Sequence, residues 1–207
     1  MKASRVTVST FGAIIGIAGI EHGVGEILQG NKAPEGLYIQ SWPVADNPLY
    51  EVLSGEPAFT IVPNLFLTGI LAIIASIVLI IWAILFIEKK HGGLIFLLLN
   101  FVGMLVGIGV AGPILIGIIT GLVGTRINSQ VTWMNEHVSA RDFLSKVWIY
   151  IYIVSVCSWF SLWPGLIILG LFVSVIDPLI VIGLALLSFV SFILTIISSF
   201  AYDSVEN

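Results

Sequence analysis

Four stretches of this chain run without a charged side chain for longer than a helix needs to cross a bilayer. Residues 57–87, 92–125, 147–176 and 178–202 contain no Asp, Glu, Lys, Arg or His. Each exceeds the ~20 apolar residues that carry an α-helix through a hydrocarbon core. The runs lack the polar–apolar alternation of a membrane barrel. A helix satisfies its own backbone hydrogen bonds in lipid, so helices are the remaining solution. Composition agrees: 58 % of residues are apolar and 10 % charged, too little charge to cover a soluble surface. The expected fold is all-α, a polytopic transmembrane helix bundle forming one integral membrane domain over residues 1–207.

The first expected span covers residues 6–29. Lys2 and Arg5 precede it as they would precede a signal peptide. Its helical pattern continues to Leu28 without a small-x-small cleavage site, so an uncleaved span is expected. Residues 31–60 follow as an extracytoplasmic loop with Tyr38, Trp42, Tyr50 and Phe59, aromatics suited to a membrane interface. Asn47-Pro48 predicts a short helix through Leu53. The second span starts near Pro63 and ends at Glu88-Lys89-Lys90.

Residues 92–125 would make a single helix ~50 Å long, well beyond a ~30 Å core. The Gly109-Val-Ala-Gly-Pro113 sequence interrupts them, and clustered glycine with proline ends helices. Two short segments are expected, residues 94–110 and 113–127, joined by a turn at Gly112-Pro113. A polar connector, residues 128–142, leads to a capping box at Ser139-x-x-Asp142. The fifth span passes a kink at Trp163-Pro164-Gly165, and Asp177-Pro178 opens the last, which is expected to end near Phe200.

Charge decides between six spans and five. With two crossings in the 92–127 region, Lys2, Arg5, Lys89, Lys90, Arg126, Arg141 and Lys146 share one side and Lys32 is alone. With one crossing the division is four against four. Cytoplasmic loops are enriched in Lys and Arg. Six spans are therefore favoured, in the cell membrane, with the N-terminus and the 128–142 connector cytoplasmic.

Gly12, Gly16, Gly19 and Gly23 fall on one stripe of the first span, a pattern that lets helix backbones approach closely in lipid. Asn100, Gly103 and Gly107 share a face of one half of the broken hairpin. Gly117, Gly121 and Gly124, with Asn128, share a face of the other. These residues are expected to pack the two halves together, with Asn100 bonding across.

An ionisable side chain within a span is costly and marks a candidate functional site. Glu26 lies near the glycine stripe, and His22 is placed to meet it at i, i+4 spacing. Glu21 points to the opposite side and is the third candidate. The nearby loop is acidic (Glu35, Asp46, Glu51, Glu56) and would concentrate cations. A metal reading needs further ligands: with five spans, Glu136 and His137 would join His22 and Glu26. No CxxC, HExxH or P-loop occurs, so no cofactor is expected. Gly107-x-Gly109-x-x-Gly112 lacks the preceding strand of a dinucleotide site. The single cysteine, Cys157, reads as a packing residue. A net charge of −4 offers nucleic acid no basic patch. No catalytic constellation is present. The expected partners are the lipid bilayer and a second copy or another membrane protein. The expected function is transport-related, handling a small ion or proton at Glu26, His22 and Glu21. The alternative is a non-catalytic membrane subunit that packs through its glycine faces.

Overall fold

A computed structural model describes residues 2–42, 56–129, 133–170, 172 and 177–206. The chain is mostly helical. Four helices are long and apolar enough to cross a membrane: Ala3–Gln29, Leu65–Leu85, Val138–Trp163 and Pro178–Glu206. The polypeptide divides into two compact units, one of Val8–Asn128 and one of Ser129–Asn207 with Met1–Thr7. The helix expected around Asn47-Pro48 lies outside the described residues.

In the first unit, α1 (Ala3–Gln29) is followed by two three-residue strands, β1 (Tyr38–Gln40) and β2 (Pro57–Phe59). They pair antiparallel, with Ile39 opposite Ala58. Those two side chains and Leu65 are buried together. This small sheet is the one departure from an all-helical fold among the described residues. Next comes α2 (Leu65–Leu85), opened by Asn64, whose side chain accepts the Leu67 N–H as an N-cap should.

The glycine stripe of α1 is filled by α2. A β-carbon on Gly12 would fall 2.6 Å from that of Ala83, and one on Gly16 would fall 2.8 Å from the Ser76 carbonyl oxygen. One on Gly23 would fall 2.7 Å from the carbonyl oxygen of Gly69. Gly19 abuts Ser76 and Ile108. At Gly16 and Gly23 helix backbone lies this close and cannot turn aside, whereas Gly12 and Gly19 meet side-chain atoms.

The broken region forms a hairpin of short helices, α3 (Gly92–Met104) and α4 (Ile118–Gly124), the latter led in by a π-helical turn, Gly112–Gly117. Thirteen residues of α3 rise ~20 Å, short of a full crossing. The break falls over residues 105–110, earlier than the Gly112-Pro113 turn expected from sequence. Gly107 and Gly109 take φ of +104° and +95°, which glycine adopts without a steric cost. Pro113 instead occupies the first turn of the next helix, where its missing N–H is harmless. The two ends of the hairpin meet: Asn128 Nδ2 donates to the Glu88 carbonyl at 3.1 Å. Its tip reaches the sheet, where Ile61 N donates to Leu105 O and Val110 N donates to Pro57 O. Asn100 bonds across the hairpin, donating from Nδ2 to the Pro113 carbonyl at 2.8 Å. A β-carbon on Gly117 would strike the Asn100 amide, one on Gly121 would meet Leu97, and one on Gly124 would approach Gly93. Gly103 packs on Ile108 within the tip. Gly107 does not pack the two halves together as expected; it faces the first span instead.

In the second unit, α5 (Trp133–Glu136) precedes α6 (Val138–Phe160). The expected capping box is not used: α6 begins at Val138, and Asp142 accepts from Arg141. The Trp163-Pro164-Gly165 irregularity appears as a π-helical segment, Ser161–Gly165, before α7 (Leu166–Gly170). Asp177 opens α8 (Pro178–Glu206) by accepting the Leu179 N–H. The α8 helix runs six residues past the expected end at Phe200. Its extension has a purpose: Asp203 accepts the N–H groups of Ala3 and Ser4 and the Ser4 hydroxyl, capping the first turn of α1. Along α6 and α8 runs a buried seam of hydroxyl residues, Ser155, Ser158, Ser188, Ser191, Thr195 and Ser198. Several donate to carbonyls three or four residues back, as Thr195 does to Ser191 at 2.7 Å. Such bonds let polar side chains sit in an apolar interface.

Candidate functional site

Three segments of the first unit converge at the C-terminal end of α1: its own last turns, the β1–β2 sheet and the hairpin tip. The sheet is fastened to the helix by Gln29, whose Nε2 donates to the carbonyls of Gln40 (3.0 Å) and Ser41 (2.8 Å). Gly25 makes this approach possible, since a β-carbon there would fall 2.8 Å from the Trp42 ring. Ser41 N in turn donates to the Glu56 carbonyl at 3.2 Å. Glu56 has φ +51°, a left-handed backbone that is uncommon outside glycine and concentrates at functional sites. The hairpin tip closes the other side. A β-carbon on Gly107 would lie 2.6 Å from Glu26 Oε2, and one on Gly109 would lie 2.8 Å from His22 Nε2.

Glu26 is fully buried, as is Ser41. The expected direct bond between His22 and Glu26 is replaced by a bridge. Ser41 Oγ donates to Glu26 Oε1 at 3.1 Å and lies 2.8 Å from His22 Nδ1. When Glu26 is ionised it takes the Ser41 proton and Ser41 accepts from His22; in that tautomer the ring proton sits on Nδ1 and the Nε2 lone pair is free. Nε2 then faces Glu56 Oε2 at 3.6 Å, beyond hydrogen-bond reach. The side chains of His22 and Glu56 are 12 % and 7 % exposed, so water screens this gap poorly.

Glu21 completes the group. Sequence spacing set it on the opposite side of the helix from Glu26, yet one ligand atom each from Glu21, His22 and Glu56 lies within 4.8 Å of the others. The two statements agree, because His22 stands between the two glutamates on the helix surface and the loop wraps over it. Oε2 of Glu21, of Glu26 and of Glu56 has no hydrogen-bond partner. Glu21 and His22 thus fall in one cluster with Glu56, and Glu26 is linked to it through Ser41. Sequence reasoning missed the roles of Ser41 and Glu56. Glu56 was visible only as one acid among four in the loop, and of those Glu35 is exposed, while Asp46 and Glu51 lie outside the described residues. No spacing rule links residues 41 and 56 to residue 22. Glu136 and His137 belong to the other unit. The arrangement offers one imidazole nitrogen and two carboxylates turned toward a shared point, a donor set for a cation. No family model, curated protein or solved structure matches this chain.

Proposed function

We propose that this chain is a multi-pass membrane protein of the cell membrane with a transport-related role, binding a small cation at Glu21, His22 and Glu56. The observation that carries the reading is the convergence of these three groups, with Glu56 buried and Glu21 partly so, at one end of a helix apolar enough to cross a bilayer. Ionisable groups in such a position are expensive and persist where they bind or move ions. The acidic loop above them would draw cations to the same end.

The topology that fits this reading has four full spans and a hairpin, α3 to α4, that enters and leaves on one side. Contact between Asn128 and Glu88 supports that arrangement. It keeps Lys2, Arg5, Lys89, Lys90, Arg126, Arg141 and Lys146 together on the cytoplasmic side, as the positive-inside rule favours, without asking helices of ~20 Å to span a ~30 Å core. The N-terminus is then cytoplasmic and the site faces outward. The subunit alternative has less support, because the glycines of α1 already face α2 of the same chain.

Liposomes test the proposal. Purified protein is reconstituted, and cation or proton entry is followed with an enclosed indicator dye. Flux in the native protein that is lost in Glu21→Gln, His22→Gln and Glu56→Gln, with protein abundance preserved, is the expected result. Flux unaltered in all three would remove the site. No flux with any cation would remove the transport role.

A further inference from the structure

We propose that Glu21, His22 and Glu56 bind one divalent transition-metal ion of the zinc class, with Ser41 and Glu26 as the groups that hold the imidazole in position. This rests on the reading of the cluster as a cation site and names its ligand.

Spacing is the first argument. Two ligands of a tetrahedral ion, each ~2.1 Å from it, sit ~3.4 Å apart. His22 Nε2 and Glu56 Oε2 are 3.6 Å apart, too far for a hydrogen bond and close to a ligand–ligand edge. All three donor atoms lie within 4.8 Å of one another, so Glu21 is the third ligand that the same ion would draw in. Glu56 Oε2 has no hydrogen-bond partner of its own beyond its neighbours in the cluster, where the Glu21 carboxyl and the His22 imidazole crowd against it, and a bound cation would relieve that crowding of like groups.

The donor set selects the metal. An imidazole nitrogen suits zinc, copper, iron and nickel, whereas magnesium and calcium prefer oxygen alone. With an ion bound, two ionised carboxylates and a neutral imidazole would carry a charge of −2, which a divalent ion neutralises and a monovalent ion does not. Three protein ligands leave a fourth position open, as in sites where the ion reacts or exchanges rather than serving only structure.

The surroundings match those of a ligating histidine. Such a residue donates its second ring N–H to a neighbour, which fixes the tautomer and the ring plane. Here Nδ1 lies 2.8 Å from Ser41 Oγ, placed for an Nδ1–H to donate to it, and Ser41 is itself held by Glu26. The tip glycines Gly107 and Gly109 leave room for both rows of this arrangement. Ser41 is thus a positioning residue that does not touch the ion.

The test uses the full chain without a polyhistidine tag, with the exposed His91 and His137 changed to Gln. Chelator-stripped protein in detergent is titrated calorimetrically with zinc chloride, and separately with calcium and magnesium chloride. One zinc ion per chain is expected, with calcium and magnesium weaker. Zinc should also raise the melting temperature. His22→Gln, Glu21→Gln and Glu56→Gln should each weaken zinc binding by about tenfold or more, and Ser41→Ala by ~10-fold with recovery in Ser41→Thr. X-ray absorption at the zinc edge on the otherwise native protein should show an imidazole in the first shell, which avoids dependence on variants that fold poorly. Failure of well-folded protein to bind zinc, a zinc shell without imidazole, or binding unaltered in His22→Gln would overturn the proposal. Liposome flux of a proton or monovalent ion that requires the three residues, without zinc binding, would overturn the metal class and leave the cation-site reading intact. Zinc binding that needs the three residues, without any flux, would support the metal site and remove the transport role alone.

Discussion

Replacing Gly23 with alanine probes the packing and the site together. Gly23 and Gly69 mark a close approach of α1 to α2. A β-carbon at Gly23 would fall 2.7 Å from the Gly69 carbonyl oxygen, 2.7 Å from Ile73 Cγ1 and 3.2 Å from the Ile73 nitrogen. Ordinary contact begins at 3.4 Å, so the helices must part by 3.4 − 2.7 = 0.7 Å at this level. The Gly69 carbonyl and the Ile73 nitrogen belong to helix backbone and cannot rotate aside. Overpacking costs ~1–3 kcal/mol, and alanine returns ~1 kcal/mol of helix propensity. Rigid backbone on the far side puts the clash at the upper end, for a net loss of ~2 kcal/mol. For a chain of this size that lowers the melting temperature by ~4–8 °C. Gly183→Ala is the control, because no atom lies within 4 Å of its β-carbon. The same chemical change there should stabilise by ~0.5–1 kcal/mol. Thermal melting in detergent, followed by tryptophan fluorescence, reads both. His22 adjoins Gly23 in sequence, and metal–ligand distances hold to ~0.2 Å, so zinc affinity should fall as well. If Gly23→Ala melts at or above the native temperature, the close helix crossing is wrong, and with it the geometry of the site.

Asp203→Ala should cost ~1 kcal/mol in the same melting assay, since it removes the acceptor for Ala3, Ser4 and the Ser4 hydroxyl; an unchanged melting temperature would show that the cap carries no stability. Gly107→Ala should fold poorly or lose zinc binding, because φ is +104° and the new carbon would meet Thr68 Cγ2 and Glu26 Oε2 at 2.6 Å each; native binding would show that the tip does not press on Glu26. A cysteine at Asn135 should resist an impermeant thiol reagent added to intact cells, as expected for a cytoplasmic connector. Labelling from outside would reverse the side assigned to the 128–142 segment and restore a single crossing over residues 92–127.

The charge-free runs alone determined that the chain is helical and apolar enough for a membrane, because backbone polar groups in lipid must be paired locally. Spacing placed the glycine face of α1 correctly, since helical periodicity depends only on 100° per residue. It also found Glu21, His22 and Glu26, because charge inside an apolar run stands out against its surroundings. Other features needed the fold. Glycine and proline at residues 107–113 signalled a break, but which of them ended the helix was settled by the Gly107 and Gly109 backbones fitting against Glu26 and His22. The serines of the last helix carry no local signal of their own, and only the packing of α6 and α8 buries them in one seam. Local spacing suggested that His22 and Glu26 would bond directly, and a loop residue, Ser41, took the place between them. Glu56 reached His22 from thirty-four positions away in sequence because the two-stranded sheet folded back over α1. Periodicity records the angle of a side chain around its own helix and holds no information about which loop will cover it. The first-span residues of the candidate site were therefore legible in the sequence, and the placing of Ser41, Glu56 and the hairpin tip around them was decided by tertiary contacts.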